Sequence, residues 1–322
     1  MASIILEIRA DIEAIKNDTA LFEEMNFIDR AEALDSLEFD VIERIESLRL
    51  TYGWPEALGV LKQRAEMVRG QLNGIDEGVF QKLREYVASG HYTSAELRQR
   101  IIGYAGGGSS LSCASGEGYD SLDTLVGGFL LTEVALEEIR QQEPEMVFYQ
   151  PTPARIVLEM AEKADLQQDD VFYDIGSGLG QVSILMHLLS GVRAKGVEIE
   201  PTFCDYARRC ASGLNLSQVE FINVDAREAD YSDGTIFFLY TPFEGRMLEQ
   251  VLERLKYESR KRRIRLYTYG PCTLQVARHR WLERVDQNGN HADRLAIFRT
   301  PEQELEAAQS PYASGPAGDT PN

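Results

Sequence analysis

Apolar residues in the first hundred positions recur every three to four residues. Ile4, Ile8, Ile12 and Ile15 form one series, and Leu34, Leu37, Val41, Ile45 and Leu48 another. That is the period at which an α-helix turns one face to a core. The pattern breaks at Tyr-Gly-Trp-Pro (52–55), where Pro55 suits the first turn of a following helix. Further helical patterns cover about 56–72, 77–89 and 94–104. A later one, about 120–141, carries Leu122, Leu125, Val126, Phe129 and Leu130 on one stripe. From about 146 the pattern changes. Short apolar runs at 171–175, 194–199, 219–223, 235–240 and 263–269 alternate with amphipathic stretches. A last pair of runs around Asn-Gly-Asn (288–290) predicts a tight hairpin.

Repeated strand–helix units call for a mostly parallel sheet with helices on both faces. The expected fold is therefore α/β: a Rossmann-like doubly wound sheet over 146–300 with a C-terminal antiparallel hairpin strand, preceded by an all-helical N-terminal region. Residues 1–105 form the acidic helical region. Residues 106–118, with nine Gly or Ser in thirteen, read as a linker, and 119–145 as a connecting helix. Residues 301–322 hold four prolines and little that could enter a core, and are predicted to be a disordered tail.

Charge narrows the partners. The net charge is −19, and residues 1–150, with 27 acids and 13 bases, carry −14 of it. Such a surface repels a phosphate backbone, which disfavours bulk nucleic-acid binding, and it is compatible with a basic protein. Cys113, Cys204, Cys210 and Cys272 are scattered, as expected of reduced thiols in a cytoplasmic protein. The N-terminus lacks a basic leader and no apolar run is long enough to span a bilayer, so neither signal peptide nor membrane segment is expected. The four histidines make no ligand cluster, so no metal is expected. Oligomeric state has no signature in the pattern.

The chemistry concentrates at Tyr-Asp-Ile-Gly-Ser-Gly-Leu-Gly-Gln (173–181). Gly176, Gly178 and Gly180 follow one predicted strand and precede a helix, where a bare backbone can turn sharply and approach a ligand. A dinucleotide fingerprint would place a glycine where Gln181 stands, which argues against a nicotinamide cofactor. Asp174 suits an ammonium better than a pyrophosphate. Glu198 ends the next strand, 24 residues on, where an acid can accept from both ribose hydroxyls. Asp225 follows the third strand and can accept from an adenine amino group, with the backbone of Ala226 beside the ring. Together these describe an adenosine carrying an amino acid, which is S-adenosyl-L-methionine.

The segment 146–300 resembles class I S-adenosylmethionine-dependent methyltransferases. Within them, Val-Phe-Tyr-Gln-Pro-Thr-Pro (147–153), Gly-Ser-Gly-Leu-Gly-Gln (176–181) and Gly-Val-Glu (196–198) resemble the non-SET histone lysine methyltransferases of the disruptor-of-telomeric-silencing type, and small archaeal protein-lysine methyltransferases. The resemblance implies cofactor contacts from Tyr149 and Thr152, which match a Tyr-x-x-Thr motif, and from Asp174, Gly176, Gln181, Glu198 and Asp225. The match departs after the fourth strand. A paired Asn of the histone family aligns with Leu239 and Tyr240, and the Asn/Asp-Pro-Pro-aromatic motif of amino-group methyltransferases is half present as Tyr240-Thr241-Pro242-Phe243.

Methyl transfer from a sulfonium is an in-line displacement, so positioning of the nucleophile dominates. Tyr240 is the first candidate to face that nucleophile and Phe243 to wall the methyl channel, with Tyr267 and Tyr269 next. No histidine stands near these strand ends, and no general base is named. The leading expectation is methylation of a protein amine, lysine, as the resemblance implies. A small-molecule N- or O-methyltransferase stands second, and a non-catalytic S-adenosylmethionine-binding scaffold third.

Overall fold

A computed structural model describes residues 2–53, 56–106, 119–130, 143–286 and 291–301. Most of the expected linker, the latter half of the connecting helix, the Asn-Gly turn at 288–290 and the tail beyond Pro301 lie outside the described residues, as do Trp54 and Pro55. The chain divides into two compact units, Met1–Glu133 and Val134–Asn322.

The first unit is helical: α1 (Ala2–Asn17), α2 (Phe27–Ser36), α3 (Glu43–Tyr52), α4 (Glu56–Ala88), α5 (Ser94–Tyr104) and α6 (Ser121–Leu130). A π-helical stretch, Leu37–Ile42, joins α2 to α3 and keeps Leu37, Val41 and Ile42 buried. Gly53, with φ +78°, stops α3. The sequence predicts two helices over 56–72 and 77–89, and the structure has one helix of 33 residues. Gly70, Gly74, Asp76 and Gly78 suggest a break, but the buried stripe Val68, Leu72, Asp76, Val79 and Leu83 runs through it unbroken. Tertiary burial outweighs the roughly 1 kcal/mol that each helical glycine costs. Asp76 belongs to that stripe because Arg30, fully buried on α2, donates to it from Nε at 2.6 Å. Nη1 of Arg30 also satisfies the carbonyls of Leu21 and Glu23, at 3.0 and 2.8 Å.

The second unit is a seven-stranded sheet: β1 (Val171–Ile175), β2 (Arg193–Glu198), β3 (Val219–Asn223), β4 (Ile236–Tyr240), β5 (Arg265–Tyr269), β6 (Glu283–Arg284) and β7 (Ala296–Arg299), in the order β3-β2-β1-β4-β5-β7-β6. The first five strands are parallel, and β7 runs antiparallel between β5 and β6. Every residue of β1 is buried, as a two-sided strand requires. Helices α7 (Ala154–Lys163), α8 (Gln181–Ser190) and α9 (Pro201–Gly213) serve one face. On the other, α10 (Gly245–Ser259) sets Leu248, Val251, Leu252 and Leu255 against Tyr173, Ile175, Phe237 and Leu239, and the short α11 (Cys272–Val276) joins the same core. At the β3 edge, Arg208 donates from Nε and Nη2 to the Phe221 carbonyl, occupying an acceptor that another strand could use.

The hairpin adds two antiparallel pairings where one strand was expected, with β6 reduced to two residues. The basic run at 256–265 leads into the amino end of β5, and arginines in it hold backbone carbonyls. Arg262 bonds the carbonyls of Gly234 and Tyr231, and Arg265 those of Ala164 and Asp165. No helix among the described residues is long and apolar enough to cross a membrane.

Candidate active site

Sheet order decides where the site sits. Because β1, β2 and β3 are neighbours, their carboxyl ends carry Asp174, Glu198 and the turn bearing Asp225 to one edge. The crossover between β1 and β4 reverses the winding there, which is where an open parallel sheet leaves a crevice. A cleft of about 400 Å³ opens at this point.

The loop after β1 folds back on β2: the N–H groups of Gly176 and Ser177 both donate to the Val197 carbonyl, at 2.9 and 3.0 Å. Gly176 and Gly178 have φ of +81° and +51°, and their bareness is also steric. A Cβ on Gly178 would lie 2.0 Å from the Tyr149 ring, and one on Gly176 2.3 Å from Pro242. Segments of the protein itself therefore press on the loop from two sides.

The three carboxylates differ in setting. Glu198 lines the cleft although it is only 8% exposed. Its Oε2 accepts from Gly178 N–H at 2.7 Å and its Oε1 from Glu200 N–H at 2.8 Å, which locks the carboxylate plane. Burial holds its pKa above the ordinary carboxylate range. Asp174 does not line the cleft. It lies beneath the loop, 3% exposed, with Ser183 Oγ at 3.5 Å, and burial together with the nearby Glu198 pushes its pKa up to about 8. Asp225 lines the cleft and is gripped by Arg227: the backbone N–H reaches Oδ1 at 2.8 Å, Nε at 3.0 Å, and Nη2 reaches Oδ2 at 2.7 Å. Ala226 lines it too, its carbonyl held by the Tyr231 hydroxyl at 2.8 Å.

The lead segment 143–153 crosses this edge. Tyr149 packs its ring on Phe203, 5.4 Å between centroids, and lines the cleft. Thr152 is buried, and its carbonyl accepts from Gln181 Nε2 at 3.0 Å. Gln181 thus tethers the segment to the start of α8. Thr152, Gly178, Gly180 and Gln181 stand behind the cleft wall with Asp174. Tyr149, Gly176, Glu198, Asp225, Ala226, Tyr240 and Phe243 face it.

At the other end, Tyr240 lies against Tyr269, 4.9 Å between centroids, and its hydroxyl donates to Gln150 Oε1 at 3.3 Å. Phe243 is buried in the wall. Thr241 between them has φ +40°, a conformation a β-branched residue seldom adopts. Its hydroxyl donates to the Tyr269 carbonyl and accepts from Cys272 N–H, both at 3.2 Å, so the kink that seats Pro242 on Gly176 is fastened to β5. Tyr267 is buried away from the cleft, and burial also raises the Cys272 thiol pKa.

Sequence reasoning missed Gln150, Phe203, Arg227 and Glu145. The first lies inside the motif and could have been read from it. The others act through contacts that no local pattern announces. Glu145 takes the Met247 N–H at 2.8 Å and so caps α10 from a hundred residues away.

The described cleft suits one class of ligand. Its charged lining residues, Glu198, Glu200, Asp225 and Glu244, are all acids, and no Lys, Arg or His joins them. A diphosphate finds no counter-charge there. A nucleoside with a cationic arm finds acids for its sugar, and Phe203, Val224 and Ala226 for its base.

Residues 143–238 match the family "Histone methylation protein DOT1". Among solved structures, the chain is similar to an RNA methyltransferase from Salinibacter ruber in complex with S-adenosyl-L-homocysteine, with 30% identity over 48% of this chain and 95% of that one and a TM-score of 0.36. It is also similar to a precorrin-6y C5,15-methyltransferase from Geobacter metallireducens GS-15, with 21% identity over 48% and 91% and a TM-score of 0.37. No curated protein matches the chain. With its parallel sheet order, its glycine loop and a family match over 143–238 that covers the loop and β1 to β3, the α/β unit is a class I S-adenosylmethionine-dependent methyltransferase.

Proposed function

We propose that this enzyme methylates an amine of a protein, a lysine side chain. The observation that carries this reading is the charge of the cleft. Among the described lining residues the charged groups are carboxylates, and the acceptor end is walled by Tyr240, Tyr269 and Phe243. An anionic acceptor would be repelled there, whereas an aliphatic amine or its ammonium is attracted by both acids and aromatic faces. The description of the matching family, a histone methylation protein, points the same way at the level of substrate class.

S-adenosylmethionine brings a methyl group on a good, neutral leaving group, and the chain's own residues bind and align. Glu198 is the ribose contact and Asp225 the base contact. Asp174, one layer behind the cleft wall, balances the ammonium across the glycine loop, and Tyr149 covers that loop, with Thr152 and Gln181 holding the covering segment in place. The hydroxyl of Tyr240, which donates to Gln150, stands at the acceptor end and orients the nitrogen of the incoming amine. Replacing Tyr240 by Phe should lower kcat by roughly tenfold to a hundredfold, with the affinity for S-adenosylhomocysteine unchanged, because only acceptor alignment is lost.

The test is transfer of a labelled methyl group into a whole-cell lysate, split into macromolecular and small-molecule fractions. Label in protein, recovered as methyl-lysine after acid hydrolysis, is expected. Label confined to small molecules overturns the reading in favour of a small-molecule methyltransferase.

A further inference from the structure

We propose that Arg227 is a positioning residue of the cofactor pocket: it fixes the plane of Asp225 at the base-binding end and, by holding Glu143, ties that end to the segment that carries Tyr149. This rests on the assignment of Asp225 as the base contact.

The geometry is specific. Arg227 meets Asp225 with its backbone N–H and with two guanidinium nitrogens, Nε and Nη2, on both carboxylate oxygens. The same guanidinium reaches across to Glu143, Nη2 to Oε1 at 2.6 Å and Nη1 to Oε2 at 3.3 Å. One fork therefore engages two carboxylates 82 residues apart, in the planar two-point manner an ammonium cannot reproduce. Two neighbouring acids on one cation raise the guanidinium's proton affinity further.

The consequence concerns the base. A carboxylate whose plane is fixed discriminates an amino donor from a carbonyl acceptor at the same position, since the wrong group leaves the acid facing a lone pair. A carboxylate free to rotate discriminates less. Glu143 lies six residues before Tyr149, and its neighbour Glu145 caps α10. The segment is thus pinned at 143, at 145 and, through Gln181, at 152. Losing the first pin should raise the cost of ordering Tyr149 over the loop.

Calorimetry on the full chain tests this with two probes, S-adenosylhomocysteine and its 6-oxo analogue S-inosylhomocysteine. The wild type is expected to prefer the amino form by tenfold or more. Arg227→Met should weaken S-adenosylhomocysteine binding roughly tenfold to a hundredfold and shrink the preference to about threefold or less, and Arg227→Lys should restore only part of each. Glu143→Gln should weaken binding a few-fold without changing the preference, and that loss should vanish in the Arg227→Met background. Thermal unfolding of each variant establishes that it is folded. If a folded Arg227→Met keeps the wild-type preference, or loses both ligands equally, the proposal is overturned while Asp225 keeps its assignment. If the wild type shows no preference between the two probes, the assignment of Asp225 falls as well.

Discussion

Asp174 sits in an environment far from water. A carboxyl 3% exposed, beneath a loop and beside Glu198, is held neutral up to about pH 8 by burial first and by that neighbour second. Its folded pKa lies above the ordinary 3.8, so the fold binds this proton more tightly than the unfolded chain does. The stability it lends is complete below about pH 4 and is lost as pH rises through about 8. Without cofactor, the unfolding temperature should fall between those values, and Asp174→Asn should flatten the slope. On the proposed reading, the cofactor's ammonium seated above the loop favours the ionised form of Asp174, so binding releases the proton. Affinity for S-adenosylhomocysteine should therefore rise with pH toward 8 in the wild type and not in Asp174→Asn, as calorimetry in buffers of different ionisation heat would read out. Glu198 is held differently, by two backbone N–H donors, and it faces the cleft. Glu198→Ala should cost about 1.5–3 kcal/mol of cofactor binding, the loss of a charged hydrogen-bonded contact.

At the scale of elements, what was legible followed from strong local patterns. All five parallel strands lie where apolar runs predict them: β1, β4 and β5, buried on both faces, have few polar positions to confuse the reading, while edge strand β3 is marked by its short apolar run although only Phe221 in it is buried. The acidic strand ends and the glycine loop were legible for the same reason: topology alone brings consecutive strand ends together. The continuity of α4 was not. Its three glycines and Asp76 mimic a turn, and only Arg30, 46 residues earlier, explains why an acid belongs on the buried stripe. Nor could the sequence reveal that Thr241 would take a left-handed backbone, since the hydroxyl contacts that hold it come from β5 and the residue after Pro271. Arg30 offers the sharper test. Removing one partner of a buried pair leaves the other charge uncompensated, so Arg30→Met should destabilise the helical unit by about 3–5 kcal/mol. The double replacement Arg30→Met with Asp76→Leu should recover much of that loss. Denaturant titration of both variants decides it, because a merely decorative pair would leave the single variant near wild type.

Across the whole molecule the dominant fact is the charge of −19, of which the first 150 residues carry −14. A field of that sign does not select a fold, but it does sort acceptors by how fast they arrive. It agrees in sign with the acid-lined cleft, so a cationic polypeptide is attracted at long range by the surface and at short range by the site. The two ranges separate experimentally. With a lysine-rich peptide as acceptor, kcat/KM should fall as ionic strength rises from about 0.01 to 0.15 M, because the screening length shrinks from about 30 to about 8 Å over that range. The value of kcat should hardly move, since the cleft excludes most of the screening ions once the acceptor is seated. Binding of S-adenosylhomocysteine, which carries no net charge, should be nearly insensitive to the same salt. A kcat/KM for the peptide that is flat in salt would mean that the acidic surface serves solubility alone, and that recognition begins only at contact.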